Sequence, residues 1–443
     1  MISTGKLFFL LVINKLTSIF HKLYELNPFA SMEASQQPNG EVFYLLNSYE
    51  SNLSTRSFGA LSRRTGALFL LVILNMSSII SEPAQIIQRD YRVRVLLHEA
   101  DRSMPPEWKV SGTTEIFLVD SDTKTKHKLK TNKLTIGFKN KKFLVNNEPL
   151  DSKRFYLIPS EGNLSLEGKE FQGYLLFSFD ANSVYAMNSI DIEEYVCSVL
   201  LTESWPGWPL EVNKALAIAS RSYVIGVIFN NKPTTPYHVK NTNKHQTYSG
   251  VHSNPVLKEA VAQTKGMFLA DQKNKPIVAM FDSCCGGVIP AHIHGVDFTN
   301  APYLARPYAC TFCKDCRVYN WSIQYPHAHL EKTLKKELKQ LKNMQIVKIS
   351  KTDKAGLVQQ VSVKSKHTSH QLSGKKLYSL LPKVRSFYFD IETNKTHIKI
   401  SGKGVGHHLG LCQWGAREMI AQGYDYKSVL SFYYPGTHFM RLS

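Results

Sequence analysis

With 443 residues, 43% of them hydrophobic and 11% aromatic, the chain has room for about two to four domains with sizeable cores, which excludes a disordered or fibrous class. Its formal net charge of +19 invites a polyanionic partner: nucleic acid, anionic lipid or an acidic wall polymer. Nucleic acid is not expected, because no zinc-finger spacing and no RNP-type aromatic strand is present, and the lysines are spread over 124–142 and 332–354 as solvated faces.

In chain order, residues 1–61 form an N-terminal extension of uncertain role. Residues 62–84, SRRTGALFLLVILNMSSIISEPA, join an arginine pair to a short apolar run and then to small residues, the pattern of a signal peptide or a membrane-targeting segment. They predict export to the periplasm or the outer face of the cytoplasmic membrane, with membrane contact through this segment only. From 91 to 185 the pattern alternates, in runs such as YRVRVLL, KLTIGF and GYLLFSF separated by Asn, Gly and Asp turns, so this part is expected to be strand-rich.

Residues 186–437 carry the chemistry. Asp191 with Glu194 reads as a helix-starting pattern, and an apolar stripe follows at Ile192, Tyr195, Val196, Val199 and Leu200. The next position on that stripe is Glu203. A Trp-Pro-Gly-Trp-Pro break at 205–209 precedes a second helix with Ala215, Ala217 and Ala219. A carboxyl buried beside Trp205 and Trp208 would have its pKa raised, as suits a general acid; the competing structural reading is a solvated Glu or one paired with Arg221. Glu211 is the candidate second carboxylate, and pairing with Lys214 or Arg221 is its simpler role.

A loop-rich stretch, 230–321, follows, then an α+β insertion at 327–390 with a Lys-rich helix near 330–344. The last stretch, SGKGVGHHLGLCQWGA, is a glycine-rich loop leading into a helix near 412–422. It lacks the Gly-Lys-Ser/Thr end of a phosphate-binding loop and the strand and acid of a dinucleotide fingerprint. Glycines 402, 404, 406 and 410 instead let backbone amides approach closely, with His407, His408 and Gln413 as polar groups. Of seven cysteines, Cys285, Cys310, Cys313 and Cys316 could hold zinc or form disulfides; spacing leaves both open, and in an exported chain a disulfide is expected for at least one pair. A Cys285 nucleophile with His292 or His294 fits no known local signature.

The two long motifs resemble the SpoIID/LytB family, the stage II sporulation protein D or amidase-enhancer proteins. Glu203 followed by WPLEVNKALAIASRSY, the segment Ser283-Cys284-Cys285-Gly286-Gly287, GKGVGHHLGLCQWGA at 402–416 and YYPGT at 433–437 are similar to its hallmarks in order. The resemblance implies an α+β fold with a strand-rich first half and the helical segment packed against the glycine-rich loop. It also implies action on peptidoglycan: lytic transglycosylase cleavage of glycan strands, notably peptide-stripped ones, with Glu203 as the acid. Trp205, Trp208, Arg221, Ser283, Gly286, Gly287, Gly404, Gly406, His407 and Gln413 are then expected to bind substrate. The alternative is a non-catalytic activator of a cell-wall N-acetylmuramoyl-L-alanine amidase. Some members bind zinc in a loop that here reads VKNTNKHQTY, which lacks most of that ligand set; no cofactor is expected there. The family's Met-Pro after the glutamate is Ser204-Trp205, and one motif glycine is His408.

Overall fold

The computed structural model describes residues 91–442 except Pro105, Pro233, Asn243 and Lys244, together with a short strand pair, Ala34–Gln36 and Val42–Tyr44. Apart from that pair, the 1–61 extension and the 62–84 targeting segment lie outside the described residues. The pair belongs to a separate unit, Met1–Glu82, and the fold below is that of Pro83–Ser443.

The class is α+β, with strands first and helices after residue 191. Short alternating strands leave one apolar face each, so they stack as two sheets. The seven-stranded sheet runs, in spatial order, Val239–Lys240, Arg92–Asp101, Ser183–Asp191, Tyr174–Phe179, Arg154–Pro159, Ile116–Asp120 and Lys126–Lys128. All of its pairings are antiparallel except the parallel edge of Val239–Lys240 on Arg92–Asp101. The six-stranded sheet is ordered Lys169–Phe171, Leu164–Leu166, Trp108–Gly112, Lys133–Lys139, Lys142–Val145 and Glu148–Leu150. Trp108 meets Phe177 at 5.6 Å, Phe143 meets Phe155 at 5.2 Å and Phe138 meets Phe179 at 5.0 Å between ring centroids, the offset and edge contacts aromatic rings prefer.

Strand Ser183–Asp191 is buried on both faces and runs straight into helix α1, Ile192–Glu203. Asp191 ends the strand and caps the helix, its carboxylate accepting the Glu193 N–H. The sheet therefore aims α1, and the expected stripe of Ile192, Tyr195, Val196, Val199 and Leu200 is buried. Helix α2, Leu210–Asn230, runs one helical stretch past Tyr223 and is largely buried in the core, packed on α1, on α3 (Pro255–Gln263) and on strand Met267–Ala270.

The inserted module is wider than 327–390. Strands Asn320–Pro326 and His397–Lys403 pair as its stem, and its own core runs from Trp321 to Ile400. It holds α4, His327–Leu334, and α5, Gly374–Leu380. The Lys-rich helix expected to reach 344 stops at Leu334: beyond it the chain turns, which brings Leu341 and Met344 into the module core instead of winding lysines around a further turn. The stem's second strand leads into the glycine-rich loop, then α6, Gln413–Ala421, and α7, Tyr426–Tyr433.

Candidate active site

Glu203 is the last residue of α1, where the chain breaks at Trp205–Pro206 before α2. The break is held from within: Ser204 Oγ donates to Asn213 Oδ1 at 2.6 Å, and Asn213 Nδ2 donates to the carbonyls of Trp208 (3.1 Å) and Pro209 (3.2 Å). Because neither proline supplies an N–H, a buried asparagine side chain ties the two helices together.

The Glu203 carboxylate is half-buried, and its Oε1 accepts the backbone N–H of Thr247 at 3.1 Å. Burial raises its pKa above the ordinary carboxyl value, against a smaller pull downward from Thr247. From the other side Gln413, the first residue of α6, donates its Nε2 to the Glu203 carbonyl at 2.8 Å. Thus α1, the 239–248 loop and the glycine-rich segment meet at this one residue. Thr202 Oγ1, donating to the Thr247 carbonyl at 2.7 Å, closes the same junction.

Three tryptophans form the adjoining wall. Trp208 meets Trp414 edge-on at 5.4 Å, Trp205 lies 6.0 Å from Trp414, and the Arg317 guanidinium stacks on Trp205 at 4.4 Å. Trp205 is 37% exposed, while Trp208 is 7% exposed and packs behind it. A small cavity of about 90 Å³ opens beside them between Leu201, Ser204, Trp205 and Val256.

Other expected binding residues lie elsewhere. Arg221 is fully buried, its guanidinium paired with both Glu193 oxygens (Nε 3.1 Å, Nη2 2.6 Å) and donating to the Met267 carbonyl at 2.9 Å. It braces α2 to α1 and is saturated; it pairs neither with Glu203 nor with Glu211. Glu211 holds Lys214 at 2.6 Å. Ser283, Gly286, Gly287, Gly404 and Gly406 build a second knot. The Ser283 carbonyl accepts the Trp414 N–H at 3.1 Å, and Cys284 pairs with Val405. At Gly406 φ is +130°, and a Cβ would sit 2.4 Å from Asp282 Cβ. His407 is half-buried, with its pKa pushed down to about 4 by burial and by His408. His408 occupies a left-handed position at φ +68°, a conformation glycine adopts without strain, and its Nδ1 lies 2.9 Å from the Cys285 carbonyl.

The four-sulfur group also differs from expectation. Cys285, Cys310 and Cys313 are joined by Cys412, all buried, while Cys316 lies outside, 3.7 Å from Cys284. Thr247, Asn213, Trp414 and Arg317 join the site beyond the residues the sequence singles out. Trp414 stands inside the second motif beside Gln413, and Thr247 lies in the VKNTNKHQTY segment, where no residue type points to contact with a glutamate 44 positions earlier. A separate cavity of about 570 Å³, lined by Arg92, Arg94, Tyr174, Phe229 and His238 among others, contains none of the motif residues.

Comparison with known proteins adds relatives to this geometry. A family model described as "Stage II sporulation protein" matches residues 180–270, and one described as "Domain of unknown function (DUF8618)" matches 311–410. An uncharacterised protein of Brachyspira hyodysenteriae is 31% identical over 310 residues, 69% of this chain and 82% of its own. The amidase enhancer of Bacillus subtilis is 26% identical over 396 residues, covering 76% of this chain and 52% of its own. Stage II sporulation protein D of Bacillus amyloliquefaciens is 25% identical over 273 residues, 57% of this chain and 75% of its own.

Proposed function

The chain belongs to the SpoIID family, and on that footing we propose that it is an exported cell-wall enzyme, a peptidoglycan lytic transglycosylase that cleaves peptide-stripped glycan strands. The observation that carries this reading is Glu203: a half-buried carboxyl with a raised pKa that accepts the Thr247 N–H, on a residue whose backbone carbonyl is held by Gln413, beside an exposed tryptophan. Ordinary glycoside hydrolysis uses two carboxylates at a set separation. Glu211, the candidate for a second, is engaged with Lys214 and with the Tyr426 N–H at 3.4 Å.

One carboxyl suffices when the sugar attacks itself. Protonated Glu203 gives its proton to the glycosidic oxygen as the C1–O bond breaks. The resulting carboxylate then takes the proton from the same sugar's 6-hydroxyl as that oxygen bonds to C1, leaving a 1,6-anhydro end and consuming no water. Burial raises the affinity of Glu203 for the proton it gives to the leaving oxygen, and Trp205 stacks on the sugar face. No metal or organic cofactor takes part in these steps.

The second reading is a wall-binding activator of an amidase, drawn from the relative named amidase enhancer. Digestion of purified glycan, with and without stem peptides, separates the two. The enzyme yields 1,6-anhydro ends by mass spectrometry, and Glu203→Gln lowers their rate by about 10²–10⁴-fold, the usual share of general acid–base catalysis. Full activity in Glu203→Gln sinks the catalytic assignment. No cleavage in either chain, with stimulation of an amidase retained in both, makes the protein an activator.

A further inference from the structure

The ligand atoms of Cys285, Cys310, Cys313 and Cys412 all lie within 4.8 Å of one another and all four residues are buried. The Cys285–Cys313 sulfur separation is 3.7 Å. A disulfide needs about 2.05 Å and joins two sulfurs only. Four sulfurs at about 2.3 Å from a zinc ion form a tetrahedron with edges of about 3.8 Å. We propose that this chain holds a structural zinc ion on these four thiolates, a site distinct from the 239–248 loop.

The surroundings suit a tetrathiolate. Binding releases four thiol protons and leaves two net negative charges in the core, which the fold has to answer. The N–H groups of Cys285 and Gly415 both point at Cys412 Sγ, each at 3.3 Å, and Tyr433 Oη lies 3.2 Å from Cys310 Sγ. Gly415 is required for this approach, since a Cβ there would stand 2.8 Å from Cys310 Sγ and 2.1 Å from Tyr433 Oη. Behind Tyr433 sits Arg306, 1% exposed, its guanidinium 5.6 Å from the ring centre. Its Nε and Nη2 have no hydrogen-bond partner, and no carboxylate pairs with it among the described residues. A buried cation held only by the Tyr308 carbonyl and aromatic rings is costly, and negative charge on the sulfur cluster beyond Tyr433 offsets part of that cost.

The ligands come from three separated segments: the 283–287 turn, the Cys-x-x-Cys at 310–313 and the N-cap of α6. All four positions are filled by protein, as in structural sites. Cys412 precedes Gln413 and Trp414, which hold the Glu203 carbonyl and the tryptophan wall, so the ion staples the glycine-rich segment to the helix break. Calling that break catalytic rests on the reading above; the metal site does not.

The test uses the full-length protein. Purified without chelator, it is expected to carry about one zinc per chain by elemental analysis. Cobalt(II) in place of zinc should give the intense visible and near-ultraviolet absorption of a tetrahedral thiolate site. Cys412→Ser keeps an N-cap oxygen, so α6 stays capped while zinc content falls to below a tenth. Cys316→Ser retains full zinc. In the native protein the four cysteines resist alkylation, and chelator exposes them and lowers Tm. Disulfides among these cysteines, iron instead of zinc, or a metal-free wild type overturn the proposal, as does loss of zinc in Cys316→Ser with retention in Cys412→Ser. Zinc without glycan cleavage leaves the site standing and removes the enzyme reading only.

Discussion

Glu203 occupies a position where an apolar residue would pack, and its local chemistry has a thermodynamic signature separate from activity. Its folded pKa is raised above the ordinary 4.5, chiefly by burial. The native state therefore holds the proton more tightly than the unfolded chain, and stability is lost as pH rises from about 4.5 through the folded value. Glutamine has no charge to bury and keeps an oxygen for the Thr247 N–H. Glu203→Gln is expected to melt a few degrees above wild type at neutral pH, the gain fading as pH falls from the raised folded value to about 4.5 and being absent below it. Calorimetry across pH checks this, and a variant less stable than wild type at pH 7 contradicts it. Glu203 could be picked out in the sequence because one charged residue interrupted a clean stripe. Motif position alone points to Arg221, and position does not reveal that Glu193, a full 28 residues earlier, pairs with it.

Helix α6 is the element that converts the distant glycine-rich loop into part of the site. Its first residue, Gln413, is nearly buried and reaches the Glu203 carbonyl across 210 positions of sequence. Gln413→Ala removes one neutral hydrogen bond, a loss of about 1 kcal/mol in stability. The larger effect falls on positioning: turnover drops by about tenfold or more, because a carboxyl displaced by a fraction of an ångström no longer meets the leaving oxygen. Kinetics beside a melting curve distinguish the two, and a fall in stability with unchanged turnover refutes the positioning role. Helix boundaries were mostly readable here, since Asp191 at α1 and Pro435-Gly436 after α7 punctuate the chain. The 330–344 helix failed because lysines have good helix propensity whether or not a face exists to bury.

At the scale of the whole molecule, the described fold has a sandwich-and-helix body and a module with its own core at 321–400, joined by the stem strands and by Trp321 Nε1 donating to the Gly404 carbonyl at 2.9 Å. Val361 is fully buried in the module core, so Val361→Ala costs about 2 kcal/mol. Hydrogen exchange is expected to quicken through 344–373 while α1 and α2 keep their protection; uniform loss across both would mean a single cooperative core. By itself, the sequence determined the strand-rich first half, the two helices around the Trp-Pro break and the place of Glu203 at the end of the apolar stripe, because period, turn residues and one misplaced charge are local signals. Only the tertiary structure decided that Thr247 and Gln413 grip that residue, that Trp208 supports while Trp205 faces outward, and that Cys412 rather than Cys316 completes the sulfur cluster. Those pairings join segments tens to hundreds of residues apart, and chain closure, which no local pattern encodes, brings them within bonding distance.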